Sequence, residues 1–171
     1  MFHLILALSL SVSFQTKTHS SKTLVVPRYK GVTPPSPKLP KQILKPGGKC
    51  TLVWPGFQLK SKPGGSRFFF LFTRTVSLKT KIKKIKRHNV LRLRIRHCKA
   101  WKKNAWRDLI THFFPTPIEK VSFYKDSKKK DLVIDLEYKK SVINPKITHT
   151  IYQGYYLLLL EWPKYVEKIS K

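Results

Sequence analysis

Leu78-Lys79-Thr80-Lys81-Ile82-Lys83 and Leu91-Arg92-Leu93-Arg94-Ile95-Arg96 set basic side chains at every second position, with mostly apolar ones between. Successive side chains of an extended chain point to opposite sides, so a period of two predicts strands, here with one apolar and one cationic face. The first run begins upstream, at Phe70, Phe72, Val76 and Leu78, and a basic stretch from Lys84 to Asn89 separates it from the second. Apolar residues are even-numbered in the first run and odd-numbered in the second. An antiparallel hairpin can place both sets on one side only if paired residue numbers add to an odd sum, because a slip of one residue turns every side chain over. Setting Leu78 opposite Ile95 and Ile82 opposite Leu91 meets that condition. It also sets Lys79 opposite Arg94 and Lys81 opposite Arg92. Like charges in direct opposition cost on the order of a few tenths of a kcal/mol each. Neither segment contains a carboxylate, so this face is expected to meet an external anion. The alternative is a solvated edge hairpin whose lysines discourage edge-to-edge pairing.

The rest of the chain bears on that choice through its charge. Its 171 residues hold 36 Lys and Arg against 8 Asp and Glu, a formal net charge of +28. The first acid is Asp108, so the excess lies almost wholly in the residues before it. A compact state with such a field repels itself, and a bound polyanion relieves the repulsion. A hydrophobic content of 41% with 12% aromatic residues excludes a wholly disordered basic tail. Three function classes fit. The favoured one is non-catalytic binding of nucleic acid, RNA before DNA, within a ribonucleoprotein assembly. The second is a viral-matrix-type or peripheral membrane protein that sets the same face against anionic lipid, with protein partners of an assembly. The third is a secreted cationic protein.

Three regions are expected. Residues 1–15 are apolar, with Phe2, Leu4, Leu6, Leu8, Leu10, Val12 and Phe14 in alternation; a signal peptide, a strand and a transit peptide all fit, and the compartment follows from which it is. Residues 16–48 form an extended basic arm, since Pro27, Pro34, Pro35, Pro37, Pro40 and Pro46 prevent a helix or a central strand. Residues 49–171 form a mainly β domain (α+β), an antiparallel sheet or partly open barrel with one amphipathic helix near 100–114. The helix is read from Trp101, Ala105, Trp106, Leu109, Ile110 and Phe113 at helical spacing, with Pro115 as its stop. Lys-Pro-Gly-Gly at 45–48 and again at 62–65 reads as turn punctuation around a short strand pair, Cys50–Trp54 and Phe57–Lys60, interrupted by Pro55-Gly56. Further strands are expected at 120–125, 132–139 and 147–162, with Tyr155 to Leu160 as the central buried strand.

No enzyme signature emerges, and neither a cofactor nor a metal is expected. Glu137-Tyr138-Lys139, with Asp126, Asp131 and Asp135 upstream, loosely fits the carboxylate-and-lysine core of metal-dependent nucleases, but Asp135 and Glu137 also alternate as ordinary strand residues. The six histidines lack zinc-site spacing, and His97 is expected to continue the inward row after Ile95. Gly48-Lys49 fails as a phosphate loop because Ile43 and Cys50 stand where the motif requires Gly and Ser or Thr. Cys50 and Cys98 bridge if the chain is exported and stay as thiols if it is not. The expected phosphate-facing residues are Lys79, Lys81 and Lys83 on the first strand, Lys84, Lys86 and Arg87 in the connection, Arg92, Arg94 and Arg96 on the second strand, and Lys99, Lys102 and Lys103 beyond it.

Overall fold

The computed structural model describes residues 44–60, 64–101 and 107–165. The expected arm, the segment 1–15, and Lys102 and Lys103 therefore lie outside the described residues, apart from 44–48. Ten strands follow in chain order: β1 (Thr51–Leu59), β2 (Ser66–Phe72), β3 (Leu78–Ile85), β4 (His88–Ile95), β5 (Lys99–Ala100), β6 (Leu109–Ile110), β7 (Ile118–Lys125), β8 (Leu132–Tyr138), β9 (Lys146–Tyr152) and β10 (Tyr155–Trp162). They form two five-stranded sheets, β5-β1-β2-β10-β9 and β3-β4-β8-β7-β6. Pairing is antiparallel except between β1 and β5. The sheets are separate, so the barrel alternative gives way to two layers.

The inner faces meet in one core. Phe68, Phe70, Phe72, Leu158, Leu160 and Trp162 of the first sheet pack with Leu91, Leu93, Ile95, Val121, Ile134 and Leu136 of the second. Each such side chain contributes roughly 1.5–3 kcal/mol by leaving water. The alternation that predicts β4 is what drives this on the second sheet, where its apolar row is buried; β3 only borders the core, with Leu78 packed against it and Ile82 exposed. The hairpin register agrees residue for residue, with Leu78 opposite Ile95, Lys79 opposite Arg94, Lys81 opposite Arg92 and Ile82 opposite Leu91. The apolar run of β10 buries both faces, since Leu157 and Tyr155 enter a second cluster with Val53, Phe69 and Leu71 on the outer side of the first sheet. Its neighbour β2 is the central strand, however, with β10 beside it.

Several expectations are corrected. No helix occurs among the described residues, so the helix expected near 100–114 is unsupported: residues 102–106 of that stretch lie outside them, Leu109–Ile110 is a short strand, and Ile110 and Phe113 are exposed. The reason is tertiary. Leu109 and Ile110 pair with Val121 and Lys120, and buried Thr111 donates its hydroxyl to Ile118 O at 2.7 Å, a partner the local spacing cannot foresee. The expected strand 147–162 is a hairpin, because Gln153 and Gly154 both take positive φ, 49° and 80°, as a two-residue turn of this kind requires. His97 is exposed with φ 50°, leaving the inward row instead of extending it. Pro55-Gly56 does not break β1, which runs through it and pairs with β2 along its length. Pro55 is tolerated because β5 pairs only with Thr51 and Leu52, so no neighbour seeks its missing N–H.

Gly56 serves a close approach. A Cβ there would lie 2.1 Å from Cζ of Phe69, whose ring is buried in the outer cluster and meets Trp54 edge-on. Gly56→Ala is therefore expected to destabilise the fold by about 1–3 kcal/mol through overpacking. Urea unfolding measures this, and a wild-type midpoint would mean the ring moves aside at no cost.

Candidate anion-binding surface

The outer face of the second sheet carries the predicted cations, in two different states. Lys79, Lys81 and Lys83 stand on β3, an edge strand, and line a cleft of about 270 Å³ with Arg92 and Arg94 of β4. Among the described residues none of the three lysines forms an ion pair. The arginines do. Arg92 donates from Nε and Nη2 to the two carboxylate oxygens of Asp135, at 2.8 and 2.7 Å, and the Tyr124 hydroxyl donates to Asp135 Oδ2 at 2.8 Å. Burial, then the neighbouring carboxylate, pushes the Tyr124 hydroxyl up to about 12. Arg94 Nη1 lies 2.8 Å from Asp126 Oδ2 and 3.7 Å from Asp131 Oδ2. The Asp126 carboxyl is held below its usual range, first by the Lys129 backbone N–H that it accepts.

This corrects the expectation of an acid-free face. Strand β4 lies between β3 and β8, and β8 sets Asp135 directly opposite Arg92. The β7–β8 connection supplies Asp126 and Asp131. Arg92 and Arg94 thus resolve their crowding within the molecule, whereas the lysines of β3 and Arg96 do not. Lys84, Lys86 and Arg87 are exposed at the hairpin tip, where Lys86 adopts φ 54°. Lys84 shares the parity of Ile82 and so leaves the cationic face.

Past the start of β3, where Arg96 N donates to Ser77 O, a larger cavity opens. It measures about 830 Å³, and its lining includes Lys49, Arg74, Arg96, Lys99, Lys125 and Lys130 but no carboxylate. None of these six forms an ion pair among the described residues. Among the described residues Arg74 donates to the carbonyl of Gly48, at 3.4 Å. The assembly follows from a disulfide between Cys50 and Cys98. Lys49 precedes one cysteine, Arg96 and Lys99 flank the other, and the β7–β8 turn brings Lys125 and Lys130. Four of the six, Lys49, Arg74, Lys125 and Lys130, escape the sequence reading. The bridge is the one signal that could have found Lys49; the other three arrive by sheet topology.

The remaining acids are elsewhere. Asp126, Asp131 and Asp135 are engaged by arginine or backbone, so the carboxylates of the nuclease pattern do not gather around Lys139. Glu137 meets a different set: His88 Nδ1 lies 3.0 Å from Glu137 Oε1, and His112 Nδ1 lies 3.3 Å from Glu119 Oε1. Donor atoms of His88, Glu119 and Glu137 fall within 4.8 Å of one another. No protein-family model matches the chain, and no curated protein or solved structure matches it either.

Proposed function

We propose that the protein is a non-catalytic binder of nucleic-acid backbones, RNA before DNA, using the disulfide-centred cavity and the lysine row of β3 as one continuous surface. The observation that carries this reading is the gathering of six cations around one cavity without a lining acid. Elsewhere on the same sheet the fold answers arginine with aspartate; here it does not. Crowding like charges costs free energy that a polyanion offsets on binding. Lysines presented this way hold phosphates as point charges, so they set position and do not read sequence.

The test is a salt titration of binding to single-stranded RNA, beside duplex DNA and vesicles containing acidic lipid. If about 6–10 phosphates are contacted, affinity for RNA should fall by roughly 10³–10⁵ between 50 and 200 mM salt. Affinity insensitive to salt, or flotation with acidic vesicles in the absence of RNA binding, would overturn the reading.

One observation favours a second reading, an exported cationic protein. The Cys50–Cys98 bridge is the state expected in an oxidising compartment. Residues 1–15 then act as an export signal. N-terminal sequencing of the mature chain, with thiol titration, separates the two: a start beyond residue 10 and no free thiol favour export.

A further inference from the structure

At the opposite end of the second sheet the chemistry changes sign. Glu119 and Glu137 are two of only eight acids in a chain with 36 basic residues, yet they converge on adjacent strands, and their ion-pair partners are histidines. We propose that His88, Glu119 and Glu137 form a binding site for a divalent transition-metal ion of the zinc type, with His112 steadying Glu119.

The argument begins with register. Glu137 lies opposite Val90 on β4 and opposite Lys120 on β7, where the pairing slips between Ile118 and Lys120. Glu119 sits at that slip, which aims a second carboxylate at the same place. His88 opens β4, just after the hairpin tip, and closes the group from the third strand. Metal chemistry then sets the spacing. Zinc holds imidazole nitrogen and carboxylate oxygen at about 2.0–2.2 Å, so neighbouring donors in a tetrahedral shell lie about 3.4 Å apart. The 3.0 Å between His88 and Glu137 is close to that value, and the whole donor set spans no more than 4.8 Å. One imidazole with two carboxylates suits zinc and its neighbours better than calcium, which takes oxygen alone. The fourth position faces a cleft of about 400 Å³ lined by Ile110, His112, Phe113 and Lys120. Lys120 is the competing cation there, but its ammonium reaches toward Asp108, at 3.8 Å. A bound ion would tie β4, β7 and β8 together, and its energy would add to that of folding.

The experiment is titration of the full chain with zinc by calorimetry, and with cobalt(II) by visible absorption. One ion per chain is expected, with a raised melting temperature and weaker binding in acid, because the imidazole must be neutral to coordinate. Glu137→Gln and His88→Gln should each lower affinity at least about 100-fold, beyond the loss typical of groups that only support a ligand. His149→Gln, on the other sheet, should leave it unchanged. No heat and no cobalt band would sink the site; binding that survives both ligand substitutions would place the ion elsewhere and also overturn it. Loss of binding in a variant whose apo form melts as the wild type does confirms ligation.

Discussion

Replacing Lys99 and Lys130 together with glutamine is expected to weaken RNA binding by about 100-fold near 0.1 M salt. Each phosphate contact contributes a salt slope of about 0.9, which near 0.1 M amounts to roughly a factor of ten in affinity. Both lysines line the cavity and are exposed, and neither has an acid partner among the described residues, so the substitution leaves no carboxylate stranded. The fold should be untouched, with a melting temperature near that of the wild type. The salt slope should fall by about 2 in parallel, which distinguishes lost phosphate contacts from a lost fold. Lys146→Gln supplies the comparison, because it removes one charge from β9 on the other sheet; it should change affinity by less than about threefold. A variant pair that binds RNA as well as Lys146→Gln would leave only the protein's overall charge, and no particular surface, as the basis of binding. Arg92→Gln should behave differently again. Its charge is already met by Asp135, so the main consequence is an orphaned carboxylate and a less stable sheet, not weaker RNA binding.

The difference between Lys99 and Arg92 marks where the sequence was legible and where it was not. Alternation of period two places residues on faces, and one parity rule restricts the β3–β4 register to odd sums, of which the observed pairing is one. That rule is local: it needs only two neighbouring segments and the requirement of one apolar side. What lies on the far side of β4 is not local. Asp135 is 43 residues from Arg92, and nothing in either segment says that β8 will pair with β4 on the side away from β3. The same limit hid Arg74, Lys125 and Lys130, whose neighbours are fixed by sheet order. It also explains why the described residues after 106 do not support the expected helix. Apolar residues at helical spacing between Trp101 and Phe113 predict a buried stripe, but Thr111 is secured by a hydrogen bond to β7, and Phe113 points outward. Two or three coincidences of spacing suffice to imitate a helix over so short a stretch, whereas the longer alternation of β3 and β4 is hard to imitate.

Removing the bridge with Cys50→Ser and Cys98→Ser is expected to have the largest effect on stability. The cysteines are 48 residues apart in sequence, and the chain entropy withheld from the unfolded state by closing a loop of that size corresponds to about 4 kcal/mol. For a domain of this length each kcal/mol moves the melting temperature by roughly 3–5 °C, so a drop of about 12–20 °C should follow. The native contacts around the bridge need not change. Lys99 N still donates to Cys50 O at 3.1 Å and Trp101 N to Leu52 O at 2.9 Å, so β1 and β5 remain joined through their backbones. Those bonds are the reason to expect loss of stability without loss of structure at low temperature, a distinction that melting curves and circular dichroism can make together. If the double-serine protein melts within about 3 °C of the wild type, the unfolded chain is already compact enough that the bridge removes little freedom. RNA affinity, measured well below the melting point, then tests the link between bridge and surface. The bridge sets Lys49 beside Arg96 and Lys99, and without it those three charges are free to move apart. Repulsion gives them reason to do so, so binding should weaken even in the folded double-serine protein, and by less than in the lysine pair variant because no charge has been removed.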